Sequence, residues 1–203
     1  MKQNKSVMLD QLLDLVREHA QTTVVNNEAV PNSQNEAIVG AAATSITGGL
    51  QQALANGQAS EVLALFNGND TAASNGVVSN ISNNFLGTLL EKFHLDKGVA
   101  QQITASLIPT VLGSLVHKTN DPSNNQFSLD GILNSLTGGA ASGINLQGIL
   151  GGLSGGLDKN GDGKVNLDDL TSLLSNGAKQ QQEGNAKGGL EEGLGGVLKN
   201  LFG

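Results

Sequence analysis

Leu9, Leu12, Leu13 and Val16 recur at the spacing that puts them on one side of a helix, with Asp10, Asp14, Arg17 and Glu18 opposite. The pattern predicts an amphipathic helix of about three turns. A polar connection through Asn26 and Asn27 follows. Ser33-Gln34-Asn35-Glu36 then matches a capping box behind Pro31 and is expected to open the alanine-rich helix GAAATSITGGLQQALANG. Its small residues permit close approach of another helix, while Gly48-Gly49 weakens it locally.

Ser60 to Phe66 is expected as a short helix ending at Asn67-Gly68, and residues 67–76 are turn formers. Val78, Ile81, Phe85, Leu89 and Phe93 mark the next helix. Asp96 is placed to cap another, with Ile103, Leu107, Val111 and Leu115 along one face. Pro109 lies inside that pattern and is expected to kink or divide the helix, because its ring removes a backbone donor. Residues 118–122, ending in Asp121-Pro122, form a strong stop.

Beyond Pro122 the pattern changes. SLDGILNSLTGGA from Ser128, NLQGILGGLSGGL from Asn145 and NLDDLTSLLSNGA from Asn166 resemble one another, and GLEEGLGGVLKNLFG is a looser fourth copy. Each joins a capping residue and a leucine to a short apolar helix pattern and a glycine-containing end, a degenerate repeat of roughly two helical turns. Their spacing is uneven, which favours short amphipathic helices covering a core over a regular solenoid. Residues 177–189 are expected as a flexible linker. Val24-Val25 and Thr22-Thr23 are too short to build a sheet, so the class is all-α: a compact multi-helix bundle followed by short, glycine-punctuated helices. The expected organisation is a helical domain at 1–122, a short-helix repeat region at 123–178, and a linker with a short C-terminal helix at 179–203.

Composition narrows the chemistry. The 203 residues include five Phe but no Tyr or Trp, so the core must be built from Leu, Ile, Val and Ala. The absence of cysteine excludes disulfides, thiolate zinc sites and cysteine nucleophiles. A net charge of −7 with no basic cluster argues against a nucleic-acid partner. No apolar run is expected to approach the roughly 20 residues that span a bilayer, and the N-terminus lacks the apolar segment of a signal peptide. A cytoplasmic location is the expectation.

LDQLLDLVREHA, AVPNSQNEAIVGAA, NISNNFLGTLLEKFHLD and SLIPTVLGSLVHKTNDP together resemble the bacterial YidB-like family of unknown function, over about residues 8–140. The resemblance implies a small all-helical domain and no established activity; none of these motifs is catalytic.

The sharp chemical signal is DKNGDGKVNLDD, residues 158–169. Calcium is a hard cation that takes six to eight oxygen ligands. A twelve-residue loop wraps it when ligands fall at positions 1, 3, 5, 7, 9 and 12 around a glycine at 6. Asp158, Asn160 and Asp162 stand at 1, 3 and 5, and Gly163 at 6. Lys164 at 7 would offer its backbone carbonyl, Asn166 stands at 9, and Asp169 closes the loop at 12. Val165 is the apolar anchor, and Leu167 and Leu170 begin the exiting helix. The competing structural account is a polar turn leading to a helix capped by Asn166. Asp169 is shorter than the usual closing Glu and only three of the ligand positions carry carboxylates, so a dissociation constant on the order of 10⁻⁵ to 10⁻³ M is expected.

The loop is similar to the calcium loop of dockerin modules, from Asp158 to Leu170. Dockerins carry two such repeats and this chain has one complete loop; without the second, the family's cohesin partner does not carry over. His19, His94 and His117 are expected at the surface or at helix ends rather than as ligands. Residues 151–156, GGLSGG, lack the Lys-Ser/Thr of a phosphate loop and are expected as a hinge. Glu191 and Glu192 are expected to charge the start of a last helix. The expectation is a non-enzymatic, EF-hand-like protein in which one Ca²⁺ orders a C-terminal surface for contact with itself or another protein. The alternative is a constitutive self-assembling scaffold with calcium only as a structural clip.

Overall fold

The computed structural model describes residues 3–66, 75–121, 128–139 and 167–188. Among these the chain is all-α and contains no strand. Seven α-helices follow in order: α1 (Gln3–Ala20), α2 (Asn35–Ala55), α3 (Ala59–Phe66), α4 (Gly76–Glu91), α5 (Lys97–Asn120), α6 (Leu129–Leu136) and α7 (Leu167–Gly188). A π-helical turn, Gln21–Val25, extends α1, and a 3₁₀ turn, Asn32–Gln34, leads into α2.

α2 is the central element. It packs against α1, α4 and α7, and α5 closes the other side of α1 and α4. The alanine-rich sequence makes this possible: Ala42, Ala43, Ala53 and Ala55 are buried around Ile38, Ile46, Leu50 and Leu54. Gly49 is the point of closest approach. A Cβ there would run into the Ile81 side chain of α4, whereas one on Gly48 would meet nothing within 4 Å. Only the second glycine of the pair serves packing; the first is exposed.

Helix boundaries follow local chemistry in most places. Asn75 Oδ1 accepts from Val77 N at 2.9 Å to start α4, and its amide donates to the Glu61 carbonyl at 3.2 Å. Asp96 caps α5 as expected, accepting from Gly98 N at 2.8 Å. Ser128 caps α6, accepting from Gly131 N at 3.1 Å. Gly57, His94 and Gly138 take positive φ after α2, α4 and α6. In each case the following N–H turns back to the helix, from Gln58 to Ala53, from Leu95 to Leu89 and from Gly139 to Asn134.

The structure departs from the sequence expectations at three places. The capping box at Ser33 does not form; α2 opens from the 3₁₀ turn with no side-chain cap. Glu36 instead holds Arg17 of α1, through bonds of 2.8 and 3.3 Å, while Asp14 takes a third at 3.0 Å. The hydrogen bond to Glu36, then the nearby charges, raise the Arg17 pKa above its ordinary value. Second, Pro109 does not divide α5, which runs unbroken for 24 residues. The carbonyl it leaves without a donor belongs to Ala105, on the exposed face, where water can take the bond. Third, 177–188 is helical rather than a linker. Ala178 through Glu183 are good helix formers apart from their flanking glycines, and Ala178 is fully buried.

Helices beyond Pro122 share the core of the helices before it. Ile132, Leu133, Leu136, Leu174 and Ala178 belong to the same buried cluster as α1 to α5. Gln51 Nε2 of α2 donates to the Leu136 carbonyl at 3.1 Å. Of the repeat copies, the one from Ser128 forms the two-turn α6 and the one from Asn166 enters the 22-residue α7; the copy from Asn145 lies outside the described residues, as does the C-terminal one. Among the described residues α5 is the helix long and apolar enough to cross a bilayer. Its apolar side, including Ile103, Leu107, Ile108, Val111, Leu112 and Leu115, is buried in this core.

Candidate functional site

The loop from Asp158 to Asn166 lies outside the described residues, and with it Asn160, Asp162 and Lys164. Its last three positions do not. Leu167 is the first residue of α7, where the exiting helix was expected, and Asp169 falls in the first helical turn. The hinge at 151–156 and Glu191 and Glu192 are also outside the described residues.

What the loop connects to is well defined. α7 docks on α2, α3 and α6. Leu174 and Ala178, one turn apart, are fully buried. Between them Ser175, 8% exposed, donates from Oγ to the Leu54 carbonyl near the end of α2 at 2.7 Å. Further along, the Gln181 side chain lies so close over Gly138 that a Cβ there would collide with it. Gly138 has φ +63, so a side chain at this position is strained by the backbone and would also displace the end of Gln181. The helix that follows residues 158–166 in sequence is therefore keyed into the core.

No group of three His, Asp or Glu side chains placed to hold a metal occurs among the described residues. His19 stands at the end of α1, His117 in the last turn of α5, and His94 in the left-handed position that closes α4.

A second feature emerges only in three dimensions. A cleft of about 300 Å³ runs between α2 and α4. Gln52, Asn56 and Gln58 line one side, and Asn80, Asn83 and Asn84 the other. Gly49, Ala53 and Val77 complete it, with Ala53 and Val77 buried and no charged side chain in the lining. The spacings 52/56 and 80/83/84 place each set on one helix face. In sequence these amides look like ordinary solvated positions, and only the approach of Gly49 to Ile81 aligns them across a groove.

Compared with known protein families, curated proteins and solved structures, the chain matches none.

Proposed function

We propose that the chain is a non-enzymatic calcium-binding helical protein in which the ion orders the segment leading into α7 and thereby an interaction surface at the C-terminal end. The observation that carries this is the oxygen register of residues 158–169, with side chains of Asp158, Asn160, Asp162, Asn166 and Asp169 and the carbonyl of Lys164 as ligands. All are hard oxygen donors, which suits Ca²⁺ and not a softer metal. α7 starts at Leu167 with Asp169 in its first turn, which both this register and a polar turn capped by Asn166 require.

The coupling follows from charge and entropy. Asp158, Asp162, Asp168 and Asp169 repel one another over a short stretch, and the glycines at 151, 152, 155 and 156 add backbone freedom that ordering must overcome. A bound divalent cation offsets the repulsion. At a hundredfold excess over its dissociation constant it contributes about 2.7 kcal/mol to the ordered form, provided it binds that form alone.

Calorimetric titration of the full chain with calcium tests the reading. One ion should bind, Asp158→Ala and Asp162→Ala should each abolish the heat, and Lys164→Ala should retain it because only its backbone serves. Loss of binding in Lys164→Ala equal to that in Asp158→Ala, or no heat at millimolar calcium, would overturn the assignment. Solution mass with calcium and with EDTA reads the surface: association that ignores EDTA identifies a constitutive scaffold instead.

A further inference from the structure

We infer that the cleft between α2 and α4 is a binding site for a neutral, hydroxyl-rich small ligand of the mono- or disaccharide class. Every polar side chain in its lining is a carboxamide. Each offers two N–H donors and an acceptor oxygen, the complement of a sugar hydroxyl, which both donates and accepts. Gln58 is engaged, donating to Glu61 at 2.8 Å. The side-chain amides of Gln52, Asn56, Asn80, Asn83 and Asn84 make no hydrogen bond to the described residues, so their full capacity faces the groove and solvent.

The amides are also costly where they stand. Asn is a weak helix former, because its side chain competes for backbone hydrogen bonds. Yet α4 places three within five residues of its interior, none of them capping the helix or buried in the core. Their common feature is the groove.

The lining selects among ligand classes. An anion would find no cation there, and a metal ion or amine would find no carboxylate. An extended peptide would bring side chains of its own, for which the cleft has only Ala53 and Val77 as apolar surface. A sugar needs hydrogen-bond partners on two sides and little apolar surface, which is what the two amide rows over buried Ala53 and Val77 supply. The volume is at the lower end of small-molecule clefts, enough for one or two sugar rings. The chain has no Trp or Tyr to stack on a sugar face, so binding rests on hydrogen bonds and a dissociation constant of about 1 mM is expected.

The test follows the side-chain NH₂ resonances of the full chain by NMR during titration with glucose, N-acetylglucosamine and their β-1,4-linked disaccharides. Saturable shifts should appear at Gln52, Asn56, Asn80, Asn83 and Asn84 for at least one of these sugars. Asn80→Ala and Asn84→Ala should each weaken that binding about tenfold. Both variants should fold, since alanine is the better helix former, and their amide spectra check this directly. The inference is overturned by no saturable shift up to about 20 mM sugar. Undiminished binding in the Asn80→Ala/Asn84→Ala double variant would also overturn it, as would preferential binding of glucuronate or tetra-alanine over the neutral sugars.

Discussion

α2 meets α4 along one side and α7 along another, and the two contacts are built differently. Against α4 the joint is a close approach of apolar surfaces, with Gly49 backed directly onto Ile81 and with Val77, Val78, Phe85 and Leu89 of α4 all buried. Against α7 the described apolar anchors include Leu174 and Ala178, and a directional bond from Ser175 to the Leu54 carbonyl fixes the position. Dense apolar packing sustains an interface that stays formed. A contact that joins apolar anchors to a directional polar bond is fixed in register as well as in place, so whatever acts on α7 is transmitted to the end of α2.

The largest effect that separates the two contacts should come from Leu174→Ala. The side chain is fully buried, and its removal costs about 2–5 kcal/mol in transfer and cavity terms. Native-state hydrogen exchange should show the loss at the amides of α7, while those of α4 and α5 keep their protection. Equal loss in α4 would mean that the two contacts melt together, and the distinction between them would fail.

The adjacent glycines provide a second, smaller test on the other side of α2. Gly49→Ala gains about 1 kcal/mol of helix propensity but drives a Cβ into Cγ1 of Ile81, a β-branched atom close to the backbone. Overpacking of this kind costs about 1–3 kcal/mol, so the net change is destabilising by up to about 2 kcal/mol. Gly48→Ala meets nothing within 4 Å and should stabilise by about 1 kcal/mol. Urea midpoints at constant slope measure both. Two substitutions one residue apart should therefore differ in sign, and a common sign would show that the approach of α4 to α2 is not tight.

The sequence made legible what depends on neighbours along the chain. Asp96 caps α5 because Asp followed closely by a helix pattern needs only its own backbone two residues on. The register proposed for calcium is legible for the same reason, since the oxygen-bearing residues at 158–169 fall within twelve consecutive positions. The errors arise where a distant partner changes the outcome. Glu36 was expected to serve Ser33 and serves Arg17, 19 residues away. Gly177 and Gly184 suggested a linker, but burial of Ser175 and Ala178 against α2 and its neighbours carries the helix on to Gly188. The amide groove was invisible because residues 52 and 56 meet 80 and 84 only after Gly49 lets the helices close.

The finest test of the comparison is Ser175→Ala. Its Oγ lies 2.7 Å from the Leu54 carbonyl, and a hydrogen bond of this kind contributes about 0.5–1.5 kcal/mol net. The carbonyl does not become an orphan, because Gly57 N still donates to it at 3.0 Å, so the penalty for an unsatisfied buried acceptor does not apply. Alanine also returns about 0.5 kcal/mol of helix propensity. The net loss should be at most about 1 kcal/mol, seen as a several-fold increase in exchange of α7 amides and no change in α4. Because residues 158–169 run directly into α7, saturating calcium should oppose this loss. Its contribution of about 2.7 kcal/mol at a hundredfold excess over the dissociation constant is larger than the bond removed. Protection of α7 in Ser175→Ala should therefore rise with calcium to at least the level of the unsubstituted chain in EDTA. If calcium binds to the variant but leaves α7 exchange where it was, the ion orders its own loop without acting on the docked helix, and the contact between α7 and α2 is independent of the site that precedes it.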